Sequence, residues 1–292
     1  GDVYKRQENF RVNKILAFRG LKQQAIDTAE AGDIVSLAGM SKATVADTIA
    51  DQSVEDPIPA QPIDPPTITV TFGINDSPLA GRDGKKVQSR VIRDRLLKEC
   101  ESNVAIKMVD TPGGEAFDVS GRGELQMGVL IENMRREGFE LSISRPRVIY
   151  KDVDGVKNEP IEEVTIDVDE EFSGAVIEKL SSRKGEMVDL KSSGSGKTRI
   201  IALVPSRGLI GYHSEFMTDT RGTGILNRVF HSWSPHKGSI AGRRQGVLIS
   251  MENGSSVAYA IFNLEERGKF FIGSGEEVYE GMIIGEHNRD ND

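Results

Sequence analysis

Apolar and polar residues along the middle of the chain follow strand spacing and helix spacing in turn. Over residues 66–149, alternation at Thr67–Ile74 predicts a strand. The following segments predict a helix at Val87–Cys100, strands at Val104–Val109 and Ala116–Ser120, a helix at Gly123–Glu137 and a strand at Phe139–Ser144. Four apolar residues of the second helix are expected to face the core: Leu125, Leu130, Ile131 and Met134. The order βαββαβ is that of the ferredoxin-like split βαβ unit.

The same order of elements returns over residues 150–235, although the sequence itself does not repeat. The predicted elements are strands at Glu163–Val168, Glu186–Leu190, Arg199–Val204 and Gly224–Trp233, with helices at Ser173–Ser182 and Arg207–Thr220. The fold class predicted for the middle of the chain is therefore α+β, with two consecutive ferredoxin-like units.

Segments of a different character flank these two units. Residues 8–65 predict short strands between glycine turns, and five prolines within residues 55–66 indicate a stiff linker. Residues 236–292 predict the start of a further β-rich domain. Its first hairpin is expected to join Val247–Met251 to Val257–Phe262 around Asn253-Gly254. Because the pattern stops abruptly at both ends, we expect the chain to be a fragment.

Composition narrows the class of protein. The 292 residues include one Cys and four His, which excludes a disulfide framework and a structural zinc site. The longest apolar run, Val257 to Phe262, is too short to span a membrane, so we expect a soluble cytoplasmic protein with no membrane partner. The net charge of −8 excludes a uniformly basic nucleic-acid binder.

Charge is nevertheless unevenly distributed along the chain. Residues 197–244 hold eight Lys or Arg against two acids, and residues 82–98 hold seven against two. Residues 151–171 hold two against nine. Two basic stretches in an acidic protein can still form a face that binds phosphates, while ordinary solvated Lys and Arg remain the alternative.

Motifs that suggest nucleotide or metal chemistry are incomplete. Gly194–Thr198 ends like a phosphate-binding loop, but Lys191 occupies the position of the first glycine and a strand is predicted to follow, so a hairpin turn is favoured. His213 and Glu215 lack a third metal ligand at suitable spacing. No catalytic, cofactor or metal site is predicted, and no nucleophile–base pair indicates an enzyme.

Several long strings resemble the BipA/TypA family of ribosome-associated translational GTPases. They are Ser120–Leu125, Ile131–Leu141, Pro205–Gly211, Ser214–Met217, Arg221–Gly224, Gly246–Ser250 and Val278–Gly281. The resemblance extends over residues 8–292. It implies the end of β-barrel domain II and a Pro-rich linker at 8–65, elongation factor G-like domains III and V at 66–149 and 150–235, and part of a family-specific C-terminal domain at 236–292.

The resemblance also implies a function. It identifies the chain as the ribosome- and rRNA-binding region of a factor for large-subunit assembly and stress-adapted translation, acting as a monomer. GTP and Mg²⁺ are implied for a GTPase domain that would precede residue 8, so no enzymatic activity is expected of this chain. A tRNA contact is implied for a C-terminal part that would follow Asp292.

Candidate rRNA-binding residues are cations and one histidine placed on loops or helix ends in or beside the basic stretch at residues 197–244. They are Arg183, Lys184, Arg207, His213, Arg221, Lys237, Arg243 and Arg244. The competing interpretation for Arg243 and Arg244 is internal pairing with acids such as Glu265 or Glu277. A different class of function also stays open, because paired ferredoxin-like units can bind small molecules between them as regulatory modules.

Overall fold

The computed structural model describes residues 9–40, 43, 45, 47–54, 56–59, 64–192, 194, 196–240 and 245–292. The chain divides into two compact units, residues 1–64 and residues 65–292. Within the first unit, three strands form an antiparallel sheet in the order β2-β1-β3. These strands are β1 (Lys14–Arg19), β2 (Lys22–Ile26) and β3 (Val35–Ala38). Ala17, on the central strand, is buried.

The second unit begins with a module that we call the first α/β module, residues 65–149. Its elements are β4 (Ile68–Gly73), α1 (Ser89–Ser102), β5 (Lys107–Asp110), β6 (Ala116–Gly121), α2 (Glu124–Arg136), β7 (Ser142–Ile143) and β8 (Arg147–Val148). The sheet is antiparallel with strand order β5-β6-β4-β7, and β8 also pairs with β4.

Alternation along β4 creates the core of this module. Ile68, Val70 and Phe72 point to one face of the sheet, where apolar residues of α1 and α2 cover them. Ile92 and Leu96 come from α1, and α2 supplies Met127, Leu130 and Met134. The expectation that Leu125 faces this core is wrong, since 82% of its surface is exposed. It lies in the first turn of α2, on a different side of the helix from the buried Met127 and Leu130.

The second α/β module, residues 150–240, has a related arrangement. Its elements are β9 (Lys151–Val153), β10 (Val156–Asp169), α3 (Glu170–Ser182), β11 (Glu186–Ser192), β12 (Lys197–Pro205), α4 (Ser206–Leu209), α5 (Tyr212–Asp219) and β13 (Ile225–Pro235). The antiparallel order is β11-β12-β10-β13, and β9 pairs with β10. Val164 and Ile166 of β10 share their core with Val176, Leu180 and Phe216 from the helices.

Two sequence-based expectations for this module are corrected. Strand β10 has 14 residues and begins well before Glu163, because the buried Glu159 and Glu162 hide the strand pattern. The single helix expected over Arg207–Thr220 is two helices. Gly211 interrupts it with φ +71°, a left-handed conformation that glycine adopts without steric cost.

Residues 245–292, which we call the C-terminal segment, contain short strands and an α-helix. These elements are β14 (Val247–Ile249), β15 (Gly254–Ser255), α6 (Ala258–Leu264), β16 (Gly268–Phe270), β17 (Glu277–Val278) and β18 (Ile283–His287). The expected hairpin is wrong, because β14 pairs with β18 and Val257–Phe262 mostly forms helix α6. A short apolar run suits strand and helix equally, so periodicity alone does not separate them. Among the described helices, none has the length and apolarity to cross a membrane.

Candidate nucleic-acid interface

A buried carboxylate holds two of the predicted rRNA-binding residues. Glu159 has no exposed surface and accepts hydrogen bonds from the Nε of Arg207, from its Nη2 at 3.1 Å and from the backbone N–H of Lys237 at 2.7 Å. Burial alone raises the pKa of Glu159, but these hydrogen bonds outweigh it, and the pKa lies below its usual value. The ammonium of Lys237 lies 2.8 Å from Glu186. Arg207 therefore neutralises a buried carboxylate, while the ammonium of Lys237 pairs with the exposed Glu186.

Arg183 also makes internal contacts. Its Nη1 donates to the carbonyl of Gly208 at 2.6 Å, and its Nη2 donates to Glu215 at 2.9 Å. The guanidinium lies 4.9 Å from the ring centre of Tyr212. Because only 14% of the side chain is exposed, little of Arg183 is accessible to a phosphate. Its contacts tie the end of α3 to α4 and α5.

Three further predicted residues are exposed and lie near opposite ends of helix α3. Lys184 and His213 lie near the C-terminal end of α3 and the start of α5. Arg221 follows α5 and lies 5.5 Å from the ring centre of Phe172, near the start of α3. At 1.5 Å per residue, the ten steps from Phe172 to Ser182 separate these two ends by about 15 Å. Helix α3 thus divides the candidates into two groups.

Arg243 and Arg244, the remaining candidates, lie outside the described residues. One of their suggested internal partners, Glu277, forms an ion pair with Arg82 of the first α/β module. This contact joins the C-terminal segment to the loop before α1.

The other basic stretch, residues 82–98, is only partly consumed by internal pairs. Arg93 donates to both oxygens of Asp110 at 2.9 and 3.0 Å, which lowers the pKa of that carboxyl. Arg95 binds Glu137 and Glu99, and these contacts raise the pKa of the guanidinium. The cations of this stretch that form no direct ion pair with a described carboxylate are Lys85, Lys86, Arg90 and Lys98, although Lys86 and Lys98 act on Glu137 at longer range. The charge count along the sequence indicated this basic stretch, although the candidate rRNA-binding residues were chosen in or beside residues 197–244.

One carboxylate organises the loop that carries several of these cations. Glu140 accepts hydrogen bonds from the backbone N–H groups of Gly81, Asp83 and Gly84 at 2.7–2.8 Å, and from the amide of Asn75 at 3.1 Å. The N–H donors of Gly81 and Gly84 contribute most to lowering the pKa of Glu140 to about 2. The loop therefore has a built-in anion at its centre.

Two of the family-like strings meet where the α/β modules join. Glu124, at the start of α2, accepts a hydrogen bond from the N–H of Gly211 at 3.1 Å. Its other oxygen lies 3.8 Å from Arg228 of β13, which also approaches Glu162 at 3.6 Å. Ile210 packs against the core of the first module. These strings thus build a joint between modules.

The described groups do not include an activated nucleophile. Burial raises the pKa of Tyr212 to about 12 and also raises the pKa of the Cys100 thiol. A group of three or more His, Cys, Asp or Glu side chains able to hold a metal ion is not found among the described residues. The described residues offer charged surfaces and structural ion pairs.

Comparison with known proteins defines the class first. Residues 156–244 match the family described as "Elongation factor G C-terminus". This range begins at β10 and includes the remaining elements of the second α/β module. Residues 245–292 match the family described as "TypA/BipA C-terminal domain". The second α/β module is thus of the class found at the C-terminus of elongation factor G, and the segment after it is of a type particular to TypA/BipA proteins.

Curated relatives identify that branch over nearly the whole chain. The chain is 52% identical over 286 residues to "Large ribosomal subunit assembly factor BipA" of Bacillus subtilis, which covers 98% of this chain and 47% of the relative. Proteins of the same name from Escherichia coli K12 and Haemophilus influenzae are 49% and 50% identical over 285 and 283 residues. Each of these matches covers 97% of this chain, and 47% and 46% of the relative.

The chain belongs to the BipA/TypA family. It spans about half the length of the curated relatives that it matches.

Proposed function

We propose that this chain is the ribosome-contacting region of a BipA-like translational GTPase that acts in assembly of the large ribosomal subunit. The observation that carries this proposal is 52% identity over 98% of the chain to a relative named for that role. Identity at this level over several domains supports a shared partner. We extend the proposal to rRNA as the component contacted and to translation under stress.

The architecture that we propose is the one the family resemblance implies. We take both α/β modules as ferredoxin-like. The support is their common topology, in which the four main strands of each module lie in the sheet in the order second, third, first and fourth. The three-stranded sheet of residues 14–38 is taken as the end of a β-barrel domain. The modules would carry cations to rRNA phosphates on rigid scaffolds.

Nucleotide chemistry is assigned to the longer protein. GTP and Mg²⁺ would act in a separate GTPase domain, while this chain supplies binding and orientation. A tRNA contact through further C-terminal residues and a monomeric state complete the proposal.

Co-sedimentation with purified large ribosomal subunits tests the proposal. We expect the chain to pellet with the subunits at low salt, and to be released as salt rises because phosphate contacts displace counterions. A chain that stays in the supernatant with large subunits at 50 mM salt would overturn the proposal.

The groove that the described residues form at the module junction does not favour the small-molecule alternative. The groove there is lined by Ser144, Arg145, Pro146, Arg147 and Ile210. This groove is open to solvent, unlike the clefts that bury most of a small-molecule ligand.

A further inference from the structure

We propose that the basic loop, defined as residues 75–90, contacts the phosphate backbone of ribosomal RNA and that Glu140 is its positioning residue. The inference rests on the proposed function and names the surface and the partner chemistry for it. The basic loop connects β4 to α1 and includes the first residues of that helix.

Glu140 gives the basic loop a defined shape. Three backbone donors and the Asn75 amide converge on its two oxygens, and only 9% of the residue is exposed. Gly84 lies so close that an added Cβ would come within 2.8 Å of the Gly138 carbonyl. A loop held by four hydrogen bonds presents its side chains with less entropy to lose on binding.

The same contacts decide which groups of the loop are available to a ligand. Backbone N–H groups that converge in a loop can bind a phosphate, as in nucleotide-binding proteins. Here the carboxylate of Glu140 already occupies that position, so a ligand must be bound by side chains. This favours a diffuse phosphate backbone over a single nucleotide phosphate.

The loop side chains suit a polyanion. Lys85 and Arg90 are exposed and have no carboxylate partner among the described residues. Lys86 forms a bridge with Phe139 through its backbone, and its ammonium lies 4.6 Å from that ring. This bridge anchors the loop next to both cations, so they project from a fixed segment of backbone.

The composition of the surface favours RNA over a protein partner. The exposed residues at the tip are Ala80, Gly81, Arg82, Asp83, Lys85, Lys86, Gln88 and Arg90. This set lacks the large apolar or aromatic anchors that dominate protein interfaces. Arg82 already pairs with Glu277, which leaves Lys85 and Arg90 as the principal phosphate ligands.

Charge reversal of the two principal cations tests the surface. We expect Lys85→Glu with Arg90→Glu to weaken binding to large subunits at least tenfold. The slope of log K against log salt should fall in magnitude by roughly 1.4–1.8, since each phosphate contact contributes about 0.7–0.9. The matched control is Lys14→Glu with Lys22→Glu, two exposed lysines of β1 and β2, which should leave the slope unchanged.

Glu140→Gln tests positioning. We expect weaker binding with a smaller salt slope, and no further loss when Glu140→Gln is combined with the double charge reversal, because Glu140 acts through the loop. Additive losses would overturn the positioning role, since a purely structural effect is independent of Lys85 and Arg90.

The outcomes separate this inference from the proposed function. If the unaltered chain fails to bind large subunits, the proposed function fails. If it binds and the double charge reversal keeps the same salt slope, the basic loop is overturned while the proposed function stands. Repeating the measurement with large-subunit rRNA stripped of protein distinguishes the partner: loss of the dependence on Lys85 and Arg90 would overturn the RNA assignment in favour of a ribosomal protein.

Discussion

At the scale of single residues, two buried carboxylates take different roles. Glu159 is paired with a charged guanidinium, while Glu140 is held by neutral N–H groups. An ionised carboxylate inside a protein needs such partners, because leaving it unpaired carries the full cost of desolvation. Each glutamate therefore fixes the segments that donate to it: α4 and the chain after β13 for Glu159, and the basic loop for Glu140.

Arg207→Ala should destabilise the chain by about 3–5 kcal/mol, because it leaves the buried Glu159 without its charged partner. Thermal unfolding is the measurement. The control is Arg199→Ala, which removes an exposed pair with Asp167 and should cost less than about 1 kcal/mol. If Arg207→Ala unfolded at the same temperature as the control, the ion pair would be structurally unimportant.

The pH dependence of the basic loop follows from Glu140. Its pKa in the folded chain is about 2, below the usual 4.5, so its hydrogen bonds stabilise the loop above pH 4.5 and are lost as the pH falls towards 2. We expect the amide proton resonances of Gly81 and Gly84 to titrate with a midpoint near pH 2. The same resonances in Glu140→Gln should show no such step. A midpoint near 4.5 in the unaltered chain would contradict the hydrogen bonds from Gly81 and Gly84 to Glu140.

At the scale of secondary structure, the break between α4 and α5 aims one backbone donor at the neighbouring module. Gly211 adopts a left-handed conformation before α5, and its N–H points to Glu124. A continuous helix would direct this N–H into its own hydrogen-bond ladder. The interruption is thus part of the joint between modules.

Gly211→Ala should cost about 1–2 kcal/mol, because a residue with a Cβ is strained at φ +71°. The matched substitution Gly174→Ala lies within α3, where an added Cβ meets no atom within 4 Å. It should stabilise the chain by about 0.5–1 kcal/mol through helix propensity. Chemical denaturation measures both, and equal effects of the two substitutions would show that the backbone conformation at Gly211 is immaterial.

At the scale of the whole second unit, the described residues join the two cores through a small polar contact and the apolar side chain of Ile210. Glu124 binds across the joint to Gly211 and faces Arg228, and Ile210 reaches the first core. Partly exposed pairs of this kind contribute modestly to stability, so the joint orients the modules more than it stabilises them.

Glu124→Ala should loosen the joint without unfolding either core. Losing a hydrogen bond worth about 1 kcal/mol should raise amide hydrogen exchange at Gly211 roughly fivefold. Exchange at Val164 and Val119, inside the two cores, serves as the internal reference and should not change. Faster exchange at all three amides would indicate general destabilisation and contradict a local role.

Local pattern predicted most elements but failed where tertiary contacts override it. The helices at 89–102 and 124–136 follow from apolar spacing, because their buried stripes are long enough to repeat. The early part of β10 was missed because Glu159 is buried only through Arg207 and Lys237, both distant in sequence. Charge counts likewise do not show which of the candidate rRNA-binding cations are paired internally, so only the structure separates paired from unpaired candidates.

The sequence by itself determined the family, most helices and strands of both α/β modules and the presence of two basic stretches, because strings, periodicity and charge are local properties of the chain. Only the tertiary structure decided which charges remain available. It placed Arg183, Arg207 and Lys237 against internal partners and left Lys85 and Arg90 on a loop shaped by Glu140. The physical reason is that ion pairs form between residues that folding brings together. Glu159 and its partner Arg207 are 48 residues apart in the chain, so their pairing leaves no local signal in the sequence.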